Sequence, residues 1–369
     1  MKKIDFIVPK SFDVKSAQRT YPVKFFADVN ELVSDLKTIQ NPVFLVDRNI
    51  RALYFDVLGE LLAGANVLEI DATEDSKTFN GVGNVIAWLS EKGVTKANHV
   101  IAIGGGIIQD IATFSTCVFF RGLKWTLVPT TLLSMSDSCI GAKCGINLNH
   151  FKNQLGVFNS PHSVLIAPGF LQTLAPIDVK SGYGEIFKLY VTGGFEKFEE
   201  LAKDLDGSGE MLSSLTGKHI SESLLIKKRV IEEDEYEKYL RMILNYGHTL
   251  GHALESETNH FVPHGLGVVW GIDFENYLSY KNGWLAKDKF ESMRGFIRKH
   301  FPFRMEKVVT VDGLLAASKR DKKMASASEI NMIYFTDKNE LEIKKTKLDD
   351  RFKAMLVEYL ETEDAFYSR

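Results

Sequence analysis

An apolar segment that runs directly into three glycines is the feature that most limits the possible folds of this 369-residue chain. Residues 99–103, HVIAI, predict a buried strand, and the segment GIIQDIATF that follows predicts a helix. Glycines between a strand and a helix let the backbone approach a phosphate, to which the first N–H groups of the helix point. Because Gly104, Gly105 and Gly106 do not form a GxGxxG fingerprint, a diphosphate site and a tight turn without a ligand both remain possible.

Strands and helices alternate on both sides of this turn. PVFLV ends at Asp47, VLEI covers residues 67–70, the helical segment NVIAWLSEKG follows, and KWTLVP covers residues 124–129. This alternation predicts an α/β fold with a Rossmann-like parallel sheet covered by helices. Such sheets bind ligands at the carboxyl ends of their strands, which makes Thr130 and Thr131 candidate contacts. The Asp47 carboxylate could either bind a ribose hydroxyl or cap the next helix.

The second half of the chain has a different character. Helical patterns dominate from about residue 172 to residue 325, and a predicted hairpin, INMIYF and LEIKK, and an amphipathic helix, RFKAMLVEYL, follow. We therefore predict two domains. An α/β nucleotide-binding domain covers residues 1–172, and a mainly α-helical domain that binds metal and substrate covers residues 173–369.

The histidines of the segment NYGHTLGHALESETNHFVPHG suggest a metal site. His248 and His252 are four residues apart and share one face of a helix, with Glu255 one turn further along. Two stacked imidazoles and a third ligand commonly hold zinc or a similar metal. A pair of ordinary surface or core histidines is the alternative interpretation. His264 and an upstream acidic residue are the features that favour the metal site.

Basic side chains suggest an anionic substrate. Lysines and an arginine near a nucleotide-binding sheet are typical of a site for a phosphate or a carboxylate, although a solvated charged loop has a similar composition. A carboxylate and an ammonium three residues apart in GEIFK could complete the histidine site or form a surface pair. These candidates are Arg121, Asp137, Lys143, Lys152 and Asn153 around the loop at residues 137–156, and Glu185 and Lys188 in GEIFK.

Composition argues against several other classes of protein. The net charge of −3 gives no nucleic-acid footprint, and the most apolar segment is interrupted by glycines, Gln109 and Asp110, so we expect no membrane span. The first residues contain no apolar run of the kind found in secretory signals. Three cysteines without CxxC spacing predict reduced thiols. We therefore expect a cytoplasmic protein.

Several motifs together resemble the sugar-phosphate cyclase superfamily. They are GGGIIQD, RGLKWTLVPTTLLSMSDS, GAKCGIN with FKNQLG, GEIFK, LNYGHTLGHALE, VPHG and RDKK, and they extend over most of the chain. The resemblance implies a homodimeric, phosphate-eliminating lyase that uses NAD and zinc or cobalt and acts on a small sugar phosphate. In that chemistry hydride passes to NAD and returns, phosphate leaves, and an intramolecular aldol reaction closes the carbocycle.

The resemblance also implies a role for each matching residue. It makes Glu185, His248 and His264 the metal ligands, which changes His252 from a possible ligand to a substrate-side acid or base. The implied catalytic residues are Asp137, Lys143, Lys188 and His252. The implied NAD contacts are Asp47, Lys77, Gly104, Gly105, Gly106, Asp110, Thr130, Thr131 and Lys143. The implied substrate contacts are Arg121 (from the neighbouring subunit), Lys152, Asn153, Lys188, Lys227, Arg241, Asn245, His252 and Lys323, with Lys322 as the alternative to Lys323.

The branch of the superfamily is the remaining question. Lys227, Arg241, Asn245 and His252 match the dehydroquinate synthase branch, which must hold a substrate carboxylate. GAK at residues 141–143, the N-terminal SFDVKSAQRTYPVKFF and a tail after DKK without the expected glycine and proline resemble the 2-epi-5-epi-valiolone synthase branch. We predict the activity of the dehydroquinate synthase branch, with 3-deoxy-arabino-heptulosonate 7-phosphate as the substrate. The alternatives are a cyclase of sedoheptulose 7-phosphate or another sugar phosphate, an NAD- and metal-dependent polyol dehydrogenase, and a non-enzymatic binding protein.

Overall fold

A seven-stranded sheet forms the centre of the first of two units into which the chain divides. The first unit comprises Met1–Ala175 and Leu212–Tyr236, and the second comprises Pro176–Met211 and Glu237–Arg369. The two units thus alternate along the chain. The functional domains predicted from the sequence, residues 1–172 and 173–369, remain a prediction. The computed structural model describes residues 4–149, 151–259, 261–303, 309–318, 324–326 and 329–362.

The strands and helices have the following bounds. The strands are β1 (Phe12–Lys15), β2 (Thr20–Phe25), β3 (Pro42–Asp47), β4 (Asn66–Ile70), β5 (His99–Gly104), β6 (Lys124–Pro129), β7 (Ile146–Leu148), β8 (Phe151–Leu155), β9 (Ser163–Ile166), β10 (Met324–Ser326), β11 (Glu329–Phe335) and β12 (Leu341–Lys347). The α-helices are α1 (Val29–Leu36), α2 (Arg48–Leu53), α3 (Phe55–Leu62), α4 (Phe79–Glu91), α5 (Gly106–Val118), α6 (Pro176–Thr192), α7 (Phe195–Ser208), α8 (Thr216–Glu233), α9 (His248–Glu257), α10 (His264–Lys281), α11 (Lys287–His300), α12 (Val311–Ser318) and α13 (Asp350–Thr362). Short 3-10 helices cover Phe119–Arg121, Pro168–Thr173 and Leu240–Asn245, and a π-helix covers Ser134–Ser138.

The sheet of the first unit confirms the predicted Rossmann-like fold. Its strand order is β1-β2-β9-β6-β5-β3-β4, and every neighbouring pair except β1 and β2 is parallel. The runs Val43–Val46 and Val100–Ile103 are fully buried, as expected for central parallel strands covered on both faces. Val46 pairs with Ile103, and Gly104 pairs with Pro129, so β3, β5 and β6 end at the same edge.

The second unit is mainly helical, as predicted. Helix α10 is buried without interruption from Gly265 to Ser279, as expected for a central helix that other elements cover on every face. The predicted hairpin is confirmed as β11 and β12, which pair antiparallel from Glu329↔Lys347 to Phe335↔Leu341. Among the described residues, no helix combines the length and the apolar character needed to cross a membrane.

Candidate active site

Three helices of the second unit bring one carboxylate and two imidazoles together. Glu185 lies on α6, and His248 and His264 are the first residues of α9 and α10. The Glu185 Oε1 atom lies 3.1 Å from His264 Nε2 and 3.6 Å from His248 Nε2. The Glu185 side chain is only 2% exposed, so this carboxylate faces the two ring nitrogens away from bulk water. The structure thus brings together the three residues that the resemblance implies as metal ligands.

Contacts behind the two rings fix which nitrogen faces the cluster. His248 Nδ1 lies 3.1 Å from the Tyr246 carbonyl oxygen, and His264 Nδ1 lies 2.9 Å from Glu255 Oε1. An imidazole that donates its Nδ1–H to an oxygen keeps the lone pair of Nε2 for a metal, and this outer contact is usual for histidine ligands. Both rings are therefore oriented with Nε2 toward Glu185.

The spacing and the charge of the cluster fit a divalent metal ion. Ligand atoms at about 2.1 Å from a tetrahedral ion lie about 3.4 Å from one another, and the separations of 3.1 and 3.6 Å lie on either side of that value. Burial alone would lower the pKa of His264, but the Glu255 and Glu185 carboxylates outweigh it and raise that pKa to about 10. A site that stabilises a proton so strongly attracts cations, and a carboxylate with two imidazoles suits zinc or cobalt.

His252 lies beside the same cluster. Nitrogens of His248, His252 and His264 all lie within 4.8 Å of one another, and the His252 and His264 rings stack with centroids 5.5 Å apart. His252 is one turn after His248 on α9, as the four-residue spacing predicts. It is near enough to exchange a proton with a molecule bound at the cluster.

Glycines allow the three helices to approach closely enough for these contacts. A Cβ atom on Gly184 would lie 2.3 Å from the Gly265 carbonyl oxygen, and one on Gly271 would lie 2.0 Å from the Gly247 carbonyl oxygen. Contacts under 3 Å are not tolerated, so only glycine permits these crossings of α6 with α10 and of α10 with the start of α9. Three of these four glycines, Gly184, Gly247 and Gly265, lie next to the candidate ligands in sequence.

Lys188 forms a buried ion pair with Glu185. The two residues are three apart on α6, and their side chains are only 3% and 2% exposed. Lys188 therefore compensates the charge of the Glu185 carboxylate and places an ammonium group within the cluster. Both members of the GEIFK pair are buried at the candidate site, which sets aside the surface pair as an interpretation.

The glycine turn between β5 and α5 shows which glycines the local packing requires. A Cβ atom on Gly104 would lie 2.4 Å from Ile108 Cγ1, and one on Gly105 would lie 2.8 Å from Thr131 Cγ2. At Gly106 the nearest atom would be Ser138 Oγ, at 4.0 Å. Packing thus explains the first two glycines, whereas the open space at the third is available to a ligand at the start of α5.

Two other residues at this edge of the sheet have clear environments. The Thr130 hydroxyl is buried and makes no hydrogen bond among the described residues, which leaves a polar group available to a ligand. Asp47 is the N-cap of α2, where its Oδ1 accepts the Asn49 N–H at 2.9 Å. Burial raises the pKa of Asp47, and backbone hydrogen bonds partly oppose the rise. The turn with an available donor fits a dinucleotide diphosphate, while Asp47 performs the helix-cap role in the structure.

A charged network lies beside this turn in the first unit. Lys77 Nζ donates to Asp110 Oδ2 and to Asn153 Oδ1, each at 3.0 Å. Burial raises the pKa of Asp110 to about 6, although the nearby Lys77 ammonium lowers it in part. Two predicted NAD contacts and one predicted substrate contact are therefore directly connected.

The π-helix carries Asp137 and is held from two sides. Lys227, on α8, donates to the Asp137 carbonyl oxygen at 2.7 Å and also pairs with its carboxylate. Gln109 Nε2 donates to the Ser138 carbonyl oxygen at 2.7 Å, and Ser138 Oγ donates back to Gln109 Oε1 at 2.9 Å. π-helices are frequent at functional sites. Nothing in the amino-acid sequence indicated the contact between α5 and the π-helix.

The remaining predicted residues lie in varied surroundings. Arg241 is buried in a 3-10 helix, and Asn245 Nδ2 donates to Glu237 Oε1 at 2.8 Å. Arg121, Lys143 and Lys152 are exposed, and Lys152 Nζ lies 3.8 Å from Glu74 Oε2. Lys322 and Lys323 lie outside the described residues. The residues that sequence reasoning missed are those that hold the others, namely Tyr246, Gln109, Ser138 and Asn147.

Comparisons with known proteins give a consistent result. Two family models match in succession, one described as 3-dehydroquinate synthase N-terminal at residues 67–181 and one as 3-dehydroquinate synthase C-terminal at residues 182–324. The 3-dehydroquinate synthase of Dictyoglomus turgidum is 34% identical over 320 residues, which are 80% of this chain and 89% of the relative.

Solved structures show the same fold. A 2-deoxy-scyllo-inosose synthase complexed with carbaglucose-6-phosphate, NAD+ and Co2+ is 20% identical, with a TM-score of 0.81 over 96% of this chain and 100% of that chain. A 2-epi-5-epi-valiolone synthase from Streptomyces hygroscopicus with NAD+ and Zn2+ bound is 24% identical, with a TM-score of 0.81 over 95% of this chain and 99% of that chain.

Proposed function

The chain belongs to the 3-dehydroquinate synthase family, and we propose that it converts 3-deoxy-arabino-heptulosonate 7-phosphate into 3-dehydroquinate with release of phosphate. This activity makes it a carbon–oxygen lyase. The observation that supports it most is the cluster of Glu185 with His248 and His264, in a chain whose two halves both match the family. Family membership favours this cyclase over the polyol dehydrogenase and the binding protein.

We propose that Glu185, His248 and His264 hold zinc or cobalt and that the first unit binds NAD. The ligand separations and the oriented rings support the metal, and the open glycine turn supports the dinucleotide. When bound, the metal supplies Lewis-acid activation of substrate hydroxyls, and NAD supplies a reversible hydride acceptor. The proposed NAD contacts are Asp47, Lys77, Gly104, Gly105, Gly106, Asp110, Thr130, Thr131 and Lys143.

The basic residues of the first unit act on the phosphate. Lys152 and Asn153 hold it by charge and hydrogen bonding, and Lys143 offsets the negative charge that grows as the phosphate leaves. Asp137 receives the Lys227 ammonium and so fixes the direction in which that lysine points. Lys143, Lys152 and Asn153 thus stabilise the anionic phosphate, whereas Asp137 acts only through Lys227.

The polar residues of the second unit act on the rest of the substrate. Arg241 binds the carboxylate with its planar guanidinium, and Asn245 donates a hydrogen bond beside it. His252 moves a proton, because its ring lies next to the ligand cluster without a place in the proposed ligand set. Lys188 holds an ammonium group beside Glu185. Lys323 is a further proposed substrate contact.

We propose a cytoplasmic homodimer in which Arg121 of one subunit binds the phosphate held by the other. Arg121 is exposed and lies in the left-handed region at φ 60, between Phe120 at φ 51 and Gly122 at φ 121. This run of positive φ values turns the chain sharply after α5, and the exposed Arg121 side chain is accessible to a second subunit.

A parallel assay of two substrates tests the proposed function. Purified protein with NAD and cobalt or zinc is given 3-deoxy-arabino-heptulosonate 7-phosphate in one reaction and sedoheptulose 7-phosphate in another, and phosphate release is measured. We expect release from the first alone, without net accumulation of NADH. Release from the second alone would replace the proposal with the valiolone-type cyclase, and NADH accumulation without phosphate would replace it with a dehydrogenase.

The valiolone-type activity is kept as the second candidate because of GAK at residues 141–143. Ala142 lies in the left-handed region at φ 60, a conformation that glycine adopts without strain. The chain thus retains an alanine at a position where its backbone favours glycine. Replacing Arg241 with alanine separates the candidates, since it should reduce kcat/KM for the carboxylate substrate far more than for the neutral one.

A further inference from the structure

Asn147, on β7, joins two segments that carry proposed site residues. Its Oδ1 accepts the Asn153 N–H at 2.9 Å, and its Nδ2 donates to Glu74 Oε2 at 2.8 Å. Its own backbone N–H donates to the Lys77 carbonyl oxygen at 2.9 Å. Asn147 is 7% exposed, so these bonds form largely away from water. One buried residue therefore holds the loop after β4 and the β7–β8 hairpin together.

The side chains held in this way meet each other. Lys77 Nζ donates to Asn153 Oδ1 at 3.0 Å, while Asn153 lies in the left-handed region at φ 51. That backbone conformation is less favourable than an extended one, and the bond from the Asn153 N–H to Asn147 stabilises it. A shift of the hairpin would therefore move Asn153 relative to Lys77.

We propose that Asn147, together with Glu74, is a positioning residue that couples NAD binding at Lys77 to phosphate binding at Asn153. The inference rests on the proposed function, which assigns a ligand to each of these two residues. Both ligands favour the same arrangement of the loop and the hairpin. Each ligand therefore lowers the ordering cost for the other, and the coupling is reciprocal.

A negative charge introduced at Asn147, and a second substitution at Glu74 that removes the resulting repulsion, test the proposed coupling. Asn147→Asp keeps an acceptor for the Asn153 N–H but places a carboxylate oxygen at the position that is 2.8 Å from Glu74 Oε2, so the two segments repel. Adding Glu74→Gln restores a donor opposite that carboxylate. Asn98→Asp is the matched control, because Asn98 accepts the Thr95 N–H at 2.8 Å in a turn at the amino end of β5, away from the proposed contacts.

The measurement is the dissociation constant of NAD by calorimetry on the full chain, with and without saturating inorganic phosphate. In the wild type we expect phosphate to tighten NAD binding by about fivefold or more. Asn147→Asp should reduce that factor to below about twofold, the double variant should restore most of it, and Asn98→Asp should match the wild type. Wild-type protein without coupling, or a double variant no better than Asn147→Asp, would overturn the proposal.

This readout separates the inference from the proposed function, because it needs no turnover. If the wild type shows coupling but releases no phosphate from either heptulose phosphate, the proposed function fails and the inference stands. If it is active but Asn147→Asp couples normally, the inference alone fails. Should Asn147→Asp unfold, Glu74→Ala removes the acceptor without adding a charge and should give a coupling factor between those of the wild type and unity.

Discussion

At the scale of residues, the candidate metal site depends on side chains that orient the ligands. The Nδ1 atoms of His248 and His264 form hydrogen bonds with Tyr246 and Glu255, respectively, and both Nε2 atoms therefore face Glu185. A ring held in this way does not need to reorient when an ion arrives. Loss of a ligand should therefore weaken metal binding much more than loss of an orienting residue.

Glu185→Gln and Glu255→Gln measure that difference. We expect Glu185→Gln to lose zinc and turnover together, because a neutral amide does not balance the charge of the ion. Glu255→Gln should keep the ligands and bind zinc about 10- to 100-fold more weakly. Metal content after dialysis against graded chelator gives both results, and a Glu185→Gln protein with full zinc occupancy would contradict the assignment.

Ala142→Gly addresses the unusual alanine of GAK. A left-handed conformation costs an L-residue roughly 1–2 kcal/mol, whereas glycine there loses roughly 0.5–1 kcal/mol in chain entropy. We expect a free energy of unfolding in urea that is unchanged or higher by about 1 kcal/mol. Ala102→Gly, at a buried position of β5, is the control and should destabilise. Destabilisation of equal size at both positions would show that the Ala142 methyl group contributes packing.

The sequence was informative about residues near each other and uninformative about those that meet through folding. The four-residue spacing of His248 and His252 predicted a shared helical face, but the choice of Glu185, His248 and His264 as the ligands depended on the family resemblance. Asn147 contacts Glu74, which is 73 residues away, and nothing in its neighbourhood indicates that partner. Glu255 was visible as one turn further along the helix, but its bond to His264 depends on the start of α10.

At the scale of elements, the site depends on helices that cross at glycines. A Cβ atom on Gly265 would lie 1.8 Å from the Ser181 carbonyl oxygen, and the Gly265 N–H donates to Ser181 Oγ at 3.0 Å. Helices α6 and α10 are therefore in backbone contact directly beside Glu185 and His264. The separation of these helices sets the distance between the two proposed ligands.

Gly184→Ala should separate α6 from α10 and weaken the metal site. The added methyl group would lie 2.3 Å from the Gly265 carbonyl oxygen, and we expect destabilisation of about 3 kcal/mol with at least tenfold weaker zinc binding. Gly295→Ala is the matched control, because Gly295 lies within α11 and, among the described residues outside its own helical backbone, no atom lies within 4 Å of the added methyl group. It should gain up to about 1 kcal/mol and bind zinc normally. Equal behaviour of the two variants would contradict the close-contact argument.

The elements themselves were largely predictable, and their grouping was not. The alternation of strand and helix patterns predicted the parallel sheet. Its central strands were recognisable because strands covered on both faces are continuous apolar runs. Helix α8 belongs to the first unit, although its sequence pattern resembles that of the helices around it. An amphipathic pattern shows that a helix has a buried face but does not show which element covers that face.

At the scale of the whole molecule, the proposed dimer predicts complementation between inactive subunits. Arg121→Ala and Glu185→Gln homodimers should each lose activity. After subunit exchange, half of the dimers are mixed, and one of the two sites in each mixed dimer carries neither change. We expect activity to recover to about a quarter of the wild-type value. No recovery, in a mixture shown to contain the mixed dimer, would place Arg121 at the site of its own subunit.

Acid stability should depend on two half-buried histidines of the first unit, His99 and His162. Burial, assisted by the charge of Lys124, lowers the pKa of His99 to about 4, and burial followed by nearby positive charges lowers that of His162 to about 4. The unfolded chain binds these protons near pH 6.5. Stability is therefore full above pH 6.5, falls as the pH decreases from 6.5 to 4, and levels off below that window.

Replacing both histidines with glutamine tests this dependence. The variant should show a smaller decrease in the urea midpoint between pH 7 and pH 4.5 than the wild type, although its absolute stability can be lower. The midpoints are measured at several pH values by circular dichroism. Parallel curves for the two proteins would show that other groups cause the acid sensitivity.

The interleaved arrangement of the two units affects the order in which the chain can fold during synthesis. The sheet of the first unit is complete by Ile166, but α8 and its Lys227 belong to the segment Leu212–Tyr236. Ribosomes add roughly 5–20 residues per second, so the 61 residues between Ala175 and Tyr236 take about 3 to 12 s. During that interval Asp137 has no Lys227 beside it. The first unit of a nascent chain therefore lacks α8 until the segment Leu212–Tyr236 has been synthesised. A gene fragment that stops at residue 175 would encode the seven-stranded sheet without this helix.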